Sequence, residues 1–361
     1  MKLALIRRHF AATGGAELYL QRLLGALVQQ GHEPHLFAQS WSAPPDGVSL
    51  HPIPVTGTRA QRPVRFAHAV REELARDGFD CVFSLERTLR QDVYRAGDGV
   101  HRVWLQRRRQ FAPWWKRPFV GFGAFHRALL RLEAQTFDPA NTRRVIVNSE
   151  MVRHEILDHF KFPAERIHLI RNGVAVARFQ SGRRAETRAR FGVTDDEFLL
   201  LFVGSGWARK GLKYLLRAMS MLPSTGVKLL VVGKGRKPPG APANVIFAGA
   251  MAGVEDAYAA ADLFAFLPIY EPAANVVVEA LAAELPVLTS AQNGASELIQ
   301  PGVNGSIVAD PSDTNAVSAE LEQWRRRGKL RVTADVGALG LERNVAETLA
   351  ILELAARERA G

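Results

Sequence analysis

The chain has 361 residues, 47% of them hydrophobic and 23% charged, a composition that suits about two globular domains and excludes collagen-like, coiled-coil or generally disordered proteins. Its single cysteine, Cys81, excludes an intrachain disulfide framework and any zinc site built on several cysteines. The net charge of +11 lies almost wholly in the first half, because residues 1–171 contain 26 basic and 16 acidic side chains, whereas residues 172–361 contain 21 and 20. This asymmetry favours an anionic partner for the first half, such as nucleic acid, phospholipid or a phosphorylated substrate, with a solvated arginine-rich surface as the alternative.

The N-terminal residues place Arg7 and Arg8 where a secretory signal needs its apolar core, so we expect them to end the first strand of a cytosolic protein. No run of about 18 apolar residues lacks a charge, so we expect no spanning helix, and any membrane contact is expected to be peripheral.

Short apolar runs alternate with longer amphipathic stretches, a pattern that predicts an α/β fold with parallel sheets. In the first half the predicted strands are Lys2–Arg7, His35–Ala38, Cys81–Ser84 and Val145–Asn148, and the clearest helix is Glu17–Gln30. In the second half the predicted strands are Phe198–Val203, Lys228–Val232, Asn244–Phe247, Leu263–Leu267 and Pro286–Thr289.

The Asn-Gly pair after Arg171 favours a turn between the two strand series, which predicts domains of residues 1–171 and 172–361. A helical pattern over residues 344–359 has one apolar face that could pack on either domain, and these boundaries assign it to the second.

Two glycine-bearing loops are candidate anion sites. Gly14 and Gly15 follow the first strand and precede a helix, so the backbone there could approach an anion, although a simple turn explains them equally well. Arg209 and Lys210 lie between a strand and a helix, where the helix dipole disfavours cations. A guanidinium and an ammonium together suit a diphosphate leaving group, so we favour a functional role over a solvated basic helix start.

A third loop follows the strand that ends at Leu267. It contains Glu271 and leads into a helix whose first amides, those of Ala274, Asn275 and Val276, could hold phosphate oxygens. Glu279, further along that helix, could accept hydrogen bonds from a ribose diol, while Glu271 would lie beside the group attached to the phosphate. For an isolated pair of glutamates, a helix-start acid and a surface acid would be the more ordinary interpretation.

The order of these motifs resembles the retaining GT-B glycosyltransferases of family 4. The resemblance spans nearly the whole chain and rests on Gly14-Gly15, Asn172-Gly173-Val174, Arg209-Lys210-Gly211, Glu271 with Glu279, Pro286-Val287-Leu288, Gly294 with Glu297, and Asn304-Gly305. It implies two Rossmann-like doubly wound domains that face each other across a cleft. It also implies that the C-terminal domain holds a nucleotide-sugar donor and the N-terminal domain an acceptor, with neither a metal nor a cofactor.

By this resemblance Arg209 and Lys210 neutralise the donor diphosphate, and Gly15, beside Gly14, approaches it from the other domain. Glu279 binds the ribose, and Glu271 contacts the donor sugar as a catalytic residue. The departing phosphate takes the acceptor proton on the same face, so the protein chiefly positions the reactants and stabilises charge.

Shorter segments resemble the bacterial lipopolysaccharide core glucosyltransferases that act on inner-core heptose. They are Phe37-Ala38-Gln39-Ser40-Trp41, Asp92-Val93-Tyr94-Arg95-Ala96-Gly97-Asp98, Gly204-Ser205 and Glu271-Pro272-Ala273-Ala274. This likeness implies UDP-glucose as donor and places Asp98 near the reacting centre as a second catalytic residue. A turn residue between two glycines is the equally weighted alternative for Asp98.

Residues 101–131 contain eight Lys or Arg, seven Trp or Phe, and no acid, a composition typical of an anionic interface. The residues expected to face a membrane or acceptor are Arg107, Arg108, Arg109, Trp114, Trp115, Lys116 and Arg117. Single-stranded nucleic acid would use the same residue types, and an arginine-rich loop over an aromatic core would contain them as well.

These observations predict a retaining, metal-independent hexosyltransferase, peripheral on the cytosolic face of the inner membrane, whose acceptor is a lipid-linked oligosaccharide such as lipopolysaccharide core. The alternatives are a glycosyltransferase with another soluble or lipid acceptor, a nucleic-acid-binding protein that uses the basic half, and a non-catalytic scaffold. No nucleic-acid partner is expected from the leading hypothesis.

Overall fold

A computed structural model describes residues 1–9, 15–41, 45–223, 225–333 and 335–360 of the protein. The chain divides into two compact units, Met1–Arg171 with Glu342–Gly361, and Asn172–Leu341. Each unit is built on a parallel sheet with helical connections, which confirms the predicted α/β class and its two Rossmann-like domains.

The first unit contains a seven-stranded sheet in the order β3-β2-β1-β4-β5-β6-β7. Its strands are β1 (Lys2–Ile6), β2 (Glu33–Ala38), β3 (Ser49–Pro52), β4 (Cys81–Ser84), β5 (Gln91–Arg95), β6 (Thr142–Val147) and β7 (Ile167–Leu169). Its helices before the second unit are α1 (Gly15–Gln29), α2 (Gln61–Leu74), α3 (His101–Gln110), α4 (Ala124–Thr136) and α5 (Glu150–Phe160), with short 3-10 helices at Trp114–Phe119 and Ala164–Arg166. The last four residues of the central strand β1, Leu3 to Ile6, are apolar and fully buried because a parallel strand is covered on both faces.

The second unit contains a six-stranded sheet in the order β10-β9-β8-β11-β12-β13. Its strands are β8 (Phe198–Val203), β9 (Val227–Val232), β10 (Val245–Gly249), β11 (Leu263–Phe266), β12 (Val287–Ser290) and β13 (Gly305–Val308). Its helices are α6 (Val176–Gln180), α7 (Arg184–Arg190), α8 (Leu212–Met219), α9 (Val254–Ala260), α10 (Asn275–Ala282), α11 (Thr314–Arg327) and α12 (Val336–Leu339), with a 3-10 helix at Gly294–Leu298. All six residues of β8 are buried, which makes it the apolar centre of this unit.

The C-terminal helix α13 (Leu341–Ala360) corrects one predicted boundary. The sequence pattern assigns residues 344–359 to the second domain, but from Glu342 onwards the helix belongs to the first unit. The Tyr19 hydroxyl donates to Thr348 Oγ1 at 3.2 Å, and Arg359 pairs with Asp92 at 2.7 Å. The apolar face of α13 does not indicate which domain the helix packs on, whereas these polar contacts assign it to the first unit.

Within the described residues, no helix is both long enough and apolar enough to cross a membrane.

Candidate active site

The second sheet offers a ligand site where its strand order reverses. Strands β8 and β11 lie side by side, and the chain continues from β8 to one edge of the sheet and from β11 to the other. The loops that follow their carboxyl ends, residues 204–211 and 267–274, therefore border one crevice, which is where open α/β sheets bind ligands. Arg209 and Lys210 lie on the first loop and Glu271 on the second.

Gly211 determines the path of the first loop. Its φ is +81°, and a Cβ atom there would lie 1.7 Å from the backbone oxygen of Leu267 at the end of β11, so only glycine fits. The carbonyl oxygen of Arg209 accepts a hydrogen bond from the Ile269 amide at 3.1 Å. The two loops are thus joined through their backbones, which brings the Arg209 guanidinium to the Glu271 carboxylate at 2.5 Å.

Lys210 is a half-buried cation between these loops. Its Nζ lies 5.8 Å from the ring centroid of Phe266, and a Cβ at Gly204 would approach that Nζ to 2.8 Å. Burial lowers the pKa of Lys210, an effect that Glu271 opposes and Arg209 reinforces. Arg209 and Lys210 are neighbouring cations, and Lys210 is partly desolvated. A bound diphosphate would stabilise both charges.

Glu271 is held in place by its backbone. Its amide donates to the Gln292 oxygen at 2.9 Å, and its own oxygen accepts from the Gly294 amide at 2.9 Å, as an isolated parallel bridge with Asn293. The loop after β12 therefore supports the loop after β11. This leaves the Glu271 side chain in the crevice, paired with Arg209.

The N-terminus of α10 differs from the prediction at one residue. Ala274 was expected to offer a free amide to phosphate, but this amide already donates to Oδ1 of the fully buried Asn293 at 3.2 Å. Within the described residues, the backbone amides of Asn275 and Val276 donate no hydrogen bond, as expected at the start of a helix. The side-chain amide of Asn172 donates to Asn275 Oδ1 at 2.7 Å and so orients that side chain.

Glu279 lies one turn further along α10. Its Oε2 accepts a hydrogen bond of 2.7 Å from the hydroxyl of Tyr258, a fully buried residue of α9. Burial raises the pKa of Glu279, while the Tyr258 hydrogen bond and the cations Arg178 and Lys210 act against that rise. The structure therefore brings Arg209, Lys210, Glu271, Glu279 and the start of α10 together in one unit, as the sequence motifs predict.

Gly15 and Asp98, two residues predicted for the first unit, lie in the chain after the carboxyl ends of β1 and β5. Gly15 is the first residue of α1, and Gly14 lies outside the described residues. Asp98 is exposed, in a turn between β5 and α3, so the structure is compatible with both interpretations given for it.

Glu86, which the sequence analysis did not select, follows β4 at the point where this sheet reverses its strand order. It accepts from the Arg8 amide at 3.2 Å and pairs with Arg7 at 3.5 Å. Burial raises the pKa of Glu86, and the charge of Asp98 adds to that rise. No motif marks Glu86, because its position depends on strand order.

The basic and aromatic segment forms an exposed projection between α3 and α4. Trp114 is 75% exposed, Trp115 56%, Phe119 72% and Phe122 79%, so these four rings do not cover an aromatic core. Arg107 and Arg108 lie on α3, and Lys116 is exposed beside the rings. Arg109 and Arg117 donate to backbone oxygens at 3.0 and 3.1 Å, so part of their hydrogen bonding braces the projection itself.

A buried carboxylate anchors this projection to the unit. Glu133 of α4 is fully buried and accepts from the amides of His101 and Arg102, the first residues of α3, at 2.5 and 3.1 Å. Arg87 donates to the same carboxylate at 3.1 Å. A negative charge at a helix N-terminus is favourable, so Glu133 fixes where α3 begins and how the projection leaves the domain.

Besides Glu86, the sequence analysis does not identify three supporting residues, namely Tyr258, Asn293 and Glu133. Each makes a hydrogen bond to a group that is at least 19 residues distant in the chain. The residues next to Tyr258 and Asn293 in the sequence do not indicate which groups these two side chains contact.

Comparisons with known proteins agree with this geometry. Residues 13–178 match the model of Glycosyltransferase Family 4, and residues 197–326 match the model of Glycosyl transferases group 1. The chain is 26% identical over 337 residues to the lipopolysaccharide glucosyltransferase WaaG of Escherichia coli, with 88% of each chain covered. It is 33% identical over 178 residues to the uncharacterized glycosyltransferase MJ1607 of Methanocaldococcus jannaschii, over 45% of this chain and 46% of that one.

Solved structures share the fold. The crystal structure of WaaG superposes with a TM-score of 0.78 at 24% identity and covers 99% of this chain and 98% of its own. HepE of Anabaena, in complex with UDP-glucose, gives a TM-score of 0.70 at 19% identity over 97% of this chain and 99% of its own.

Proposed function

We propose that this chain, whose two halves match glycosyltransferase family models and which shares the GT-B fold of WaaG, is a retaining, metal-independent hexosyltransferase that moves glucose from UDP-glucose to lipopolysaccharide core or a similar lipid-linked oligosaccharide. The observation that carries the proposal is the crevice between β8 and β11, where Arg209 and Lys210 face Glu271 beside two open amides. The WaaG relative is a lipopolysaccharide glucosyltransferase, and HepE binds UDP-glucose, which supports this donor and this acceptor class.

The proposed reaction uses the crevice to stabilise the leaving group. The bond between sugar C1 and the phosphate oxygen breaks, a bond from C1 to the acceptor oxygen forms on the same face, and the acceptor proton passes to the departing phosphate. Arg209 and Lys210 stabilise the negative charge that develops on UDP, so no metal is required. The amides of Asn275 and Val276 bind phosphate oxygens at the helix start.

Glu271 and Glu279 bind the two sugars of the donor, the hexose and the ribose respectively. Glu271, whose backbone is fixed by the loop after β12, orients the hexose in this proposal. When the diphosphate binds, it competes with Glu271 for Arg209, so this carboxylate becomes available to sugar hydroxyls. Glu279 accepts hydrogen bonds from the ribose. In the first unit, Asp98 and Glu86 follow the carboxyl ends of two strands. Their carboxylates accept hydrogen bonds from the hydroxyls of the sugar that receives the hexose.

The exposed projection supports an acceptor embedded in a membrane. Four exposed rings with adjacent cations suit insertion at the headgroup level of an anionic leaflet. We therefore assign the protein to the cytosolic face of the inner membrane, bound peripherally through Trp114, Trp115 and the surrounding cations.

Calorimetry with UDP, ADP, GDP and UDP-glucose, in buffer with a chelator, tests the donor assignment. We expect saturable binding of UDP and UDP-glucose to wild type and a loss of about 10- to 100-fold in Arg209→Ala, as for one charge-assisted contact. Arg326→Ala, an exposed arginine of the same unit, is the matched control and should bind normally. If wild type binds none of these nucleotides, the proposal is wrong.

Turnover tests the reaction itself. A truncated lipopolysaccharide acceptor should raise UDP release from UDP-glucose above the slow hydrolysis measured without acceptor, and Glu271→Gln should lower the acceptor-stimulated rate. The anomeric configuration of the product, measured by NMR, should match that of the donor; an inverted product would contradict the retaining mechanism.

A further inference from the structure

A buried tyrosine lies directly behind the carboxylate assigned to the ribose. The Tyr258 hydroxyl is 2.7 Å from Glu279 Oε2 and 3.3 Å from the Val276 oxygen, and the Tyr258 side chain is 0% exposed. We propose that Tyr258 is a positioning residue of the nucleotide site, which holds Glu279 Oε2 so that Oε1 faces the ribose diol. This inference rests on the proposed function, because it assumes that Glu279 receives a nucleoside diphosphate.

The packing shows that the hydroxyl is the informative part of this residue. The Tyr258 ring contacts Phe179 at a centroid distance of 5.6 Å, edge to face, and Phe264 at 5.7 Å. A phenylalanine would fill the same space without placing a polar atom inside the unit. A buried hydroxyl is costly unless it is hydrogen-bonded, and a carboxylate is its strongest available partner.

The hydroxyl has one proton to donate, and the distances direct it to the carboxylate. The bond to Oε2 is within the usual range for O–H···O, whereas the contact with Val276 is long. A carboxylate turns freely about its last torsion unless one oxygen is held. With Oε2 held by α9, the plane of the carboxylate on α10 is set before the nucleotide arrives, which reduces the cost of ordering it.

The charges around Glu279 give the same hydroxyl a second effect. Four groups face this carboxyl: Tyr258 and Glu255 from α9, Arg178 from α6, and Lys210 from the loop before α8. Burial and Glu255 raise the pKa of Glu279, whereas Tyr258, Arg178 and Lys210 lower it. Because an ionised carboxylate accepts from both ribose hydroxyls and a protonated one does not, Tyr258 helps keep Glu279 in its binding form.

Tyr258→Phe tests the proposal through binding of UDP, with ADP and GDP in parallel. We expect the Kd for UDP to rise about 10-fold, while kcat at saturating UDP-glucose stays within about twofold of wild type. The acid side of the pH profile of UDP binding should move to higher pH, since Glu279 then loses a donor that favours its ionised form. Tyr214→Phe, whose phenol faces Asp310, is the matched control and should change neither quantity.

Two further measurements separate positioning from packing. With 2′,3′-dideoxyuridine diphosphate the penalty of Tyr258→Phe should shrink towards onefold, because the ribose hydroxyls that Glu279 would bind are absent. In a Glu279→Gln background, Tyr258→Phe should add less than its own penalty, as expected for two residues that act together. These comparisons use only proteins that unfold within a few degrees of wild type.

The outcomes are distinct. If wild type binds no nucleoside diphosphate, both the proposed function and this inference fail. If wild type binds UDP and Tyr258→Phe binds it equally well, with an unchanged pH profile, the nucleotide site stands and the role of Tyr258 is wrong. An equal penalty for UDP and its dideoxy analogue would also overturn the role of Tyr258 while leaving the nucleotide site intact.

Discussion

Removing one exposed tryptophan should release the protein from anionic membranes without impairing the donor site. A tryptophan side chain buries about 150–250 Å² when covered. Because Trp114 is 75% exposed, roughly 150 Å² of it is available to lipid, worth about 4 kcal/mol at about 25 cal/mol per Å² if fully inserted. Half-depth insertion at the headgroups gives about 2 kcal/mol, so Trp114→Ala should weaken partitioning about 30-fold.

The assay is sedimentation with vesicles that contain about one-third anionic lipid, alongside neutral vesicles. Met221→Ala removes an apolar side chain that is 53% exposed in the other unit and serves as the control. UDP-glucose hydrolysis in the absence of vesicles should be the same for both variants. Equal vesicle binding by Trp114→Ala and Met221→Ala would refute the docking surface, and loss of hydrolysis in Trp114→Ala would refute the separation of roles.

Charge supplies a second arm of the same prediction. Reversal of Arg107, Arg108 and Lys116 to glutamate spares Arg109 and Arg117, which brace the projection. Each cation near an anionic leaflet contributes about 1 kcal/mol, so the triple variant should lose binding to anionic vesicles by more than about 100-fold at low salt and less at high salt. If the same variants instead lose affinity for a single-stranded oligonucleotide that wild type binds more tightly than vesicles, the nucleic-acid hypothesis is favoured.

Three further variants test the framework. Gly211→Ala should lower the free energy of unfolding by about 2–5 kcal/mol, because its Cβ meets the Leu267 oxygen at positive φ, whereas Gly206→Ala, with nothing within 4 Å, should cost about 1–2 kcal/mol in calorimetric melts. Glu133→Gln leaves the Arg87 guanidinium buried without its counter-charge and should cost about 3–5 kcal/mol in the same assay, against less than about 1 kcal/mol for Glu73→Gln, whose partner Arg76 is exposed to solvent. Glu279→Gln should stabilise the protein relative to wild type at pH 8 but not at pH 4. The pKa of Glu279 is raised above its ordinary value of 4.5 in the folded state, so wild type loses stability as the pH rises from the unfolded pKa through the folded pKa. A constant difference in melting temperature between the two pH values would contradict the last prediction.

The strands that could be predicted are those with continuous apolar runs, such as β8 and β11. Strand β5 was missed because Gln91, Asp92 and Arg95 are buried by polar partners, and the carboxylate of Asp92 is shared between Arg143 and Arg359. No hydropathy pattern identifies a buried strand whose polar groups find their partners far away in the chain. The C-terminal helix was misassigned for the same reason, since polar contacts with the first unit identify its domain.

The sequence groups candidate site residues correctly in space where they are also close in the chain. Arg209 and Lys210 are adjacent, and Glu271 and Glu279 flank one helix start, so a short motif contains each pair. The amide of Ala274 could not be judged in this way, because Asn293 comes from the loop after β12 and reaches it across the sheet edge. A helix start acts as an anion site only through the donors that side chains from neighbouring loops have left open.

The two sheets obey one rule of ligand placement but differ in the side chains that they present there. At the reversal in the second sheet, Arg209 and Lys210 provide the cations that a diphosphate needs, with Glu271 positioned to compete for one of them. At the reversal in the first sheet, the Glu86 carboxylate is paired with Arg7 and is influenced by Asp98, so carboxylates and a cation lie together there. A phosphate needs hydrogen-bond donors, whereas a sugar hydroxyl both donates and accepts. The proposed binding of the nucleotide by the second unit therefore depends on Arg209 and Lys210, and the proposed binding of the acceptor by the first unit depends on the carboxylates of Glu86 and Asp98.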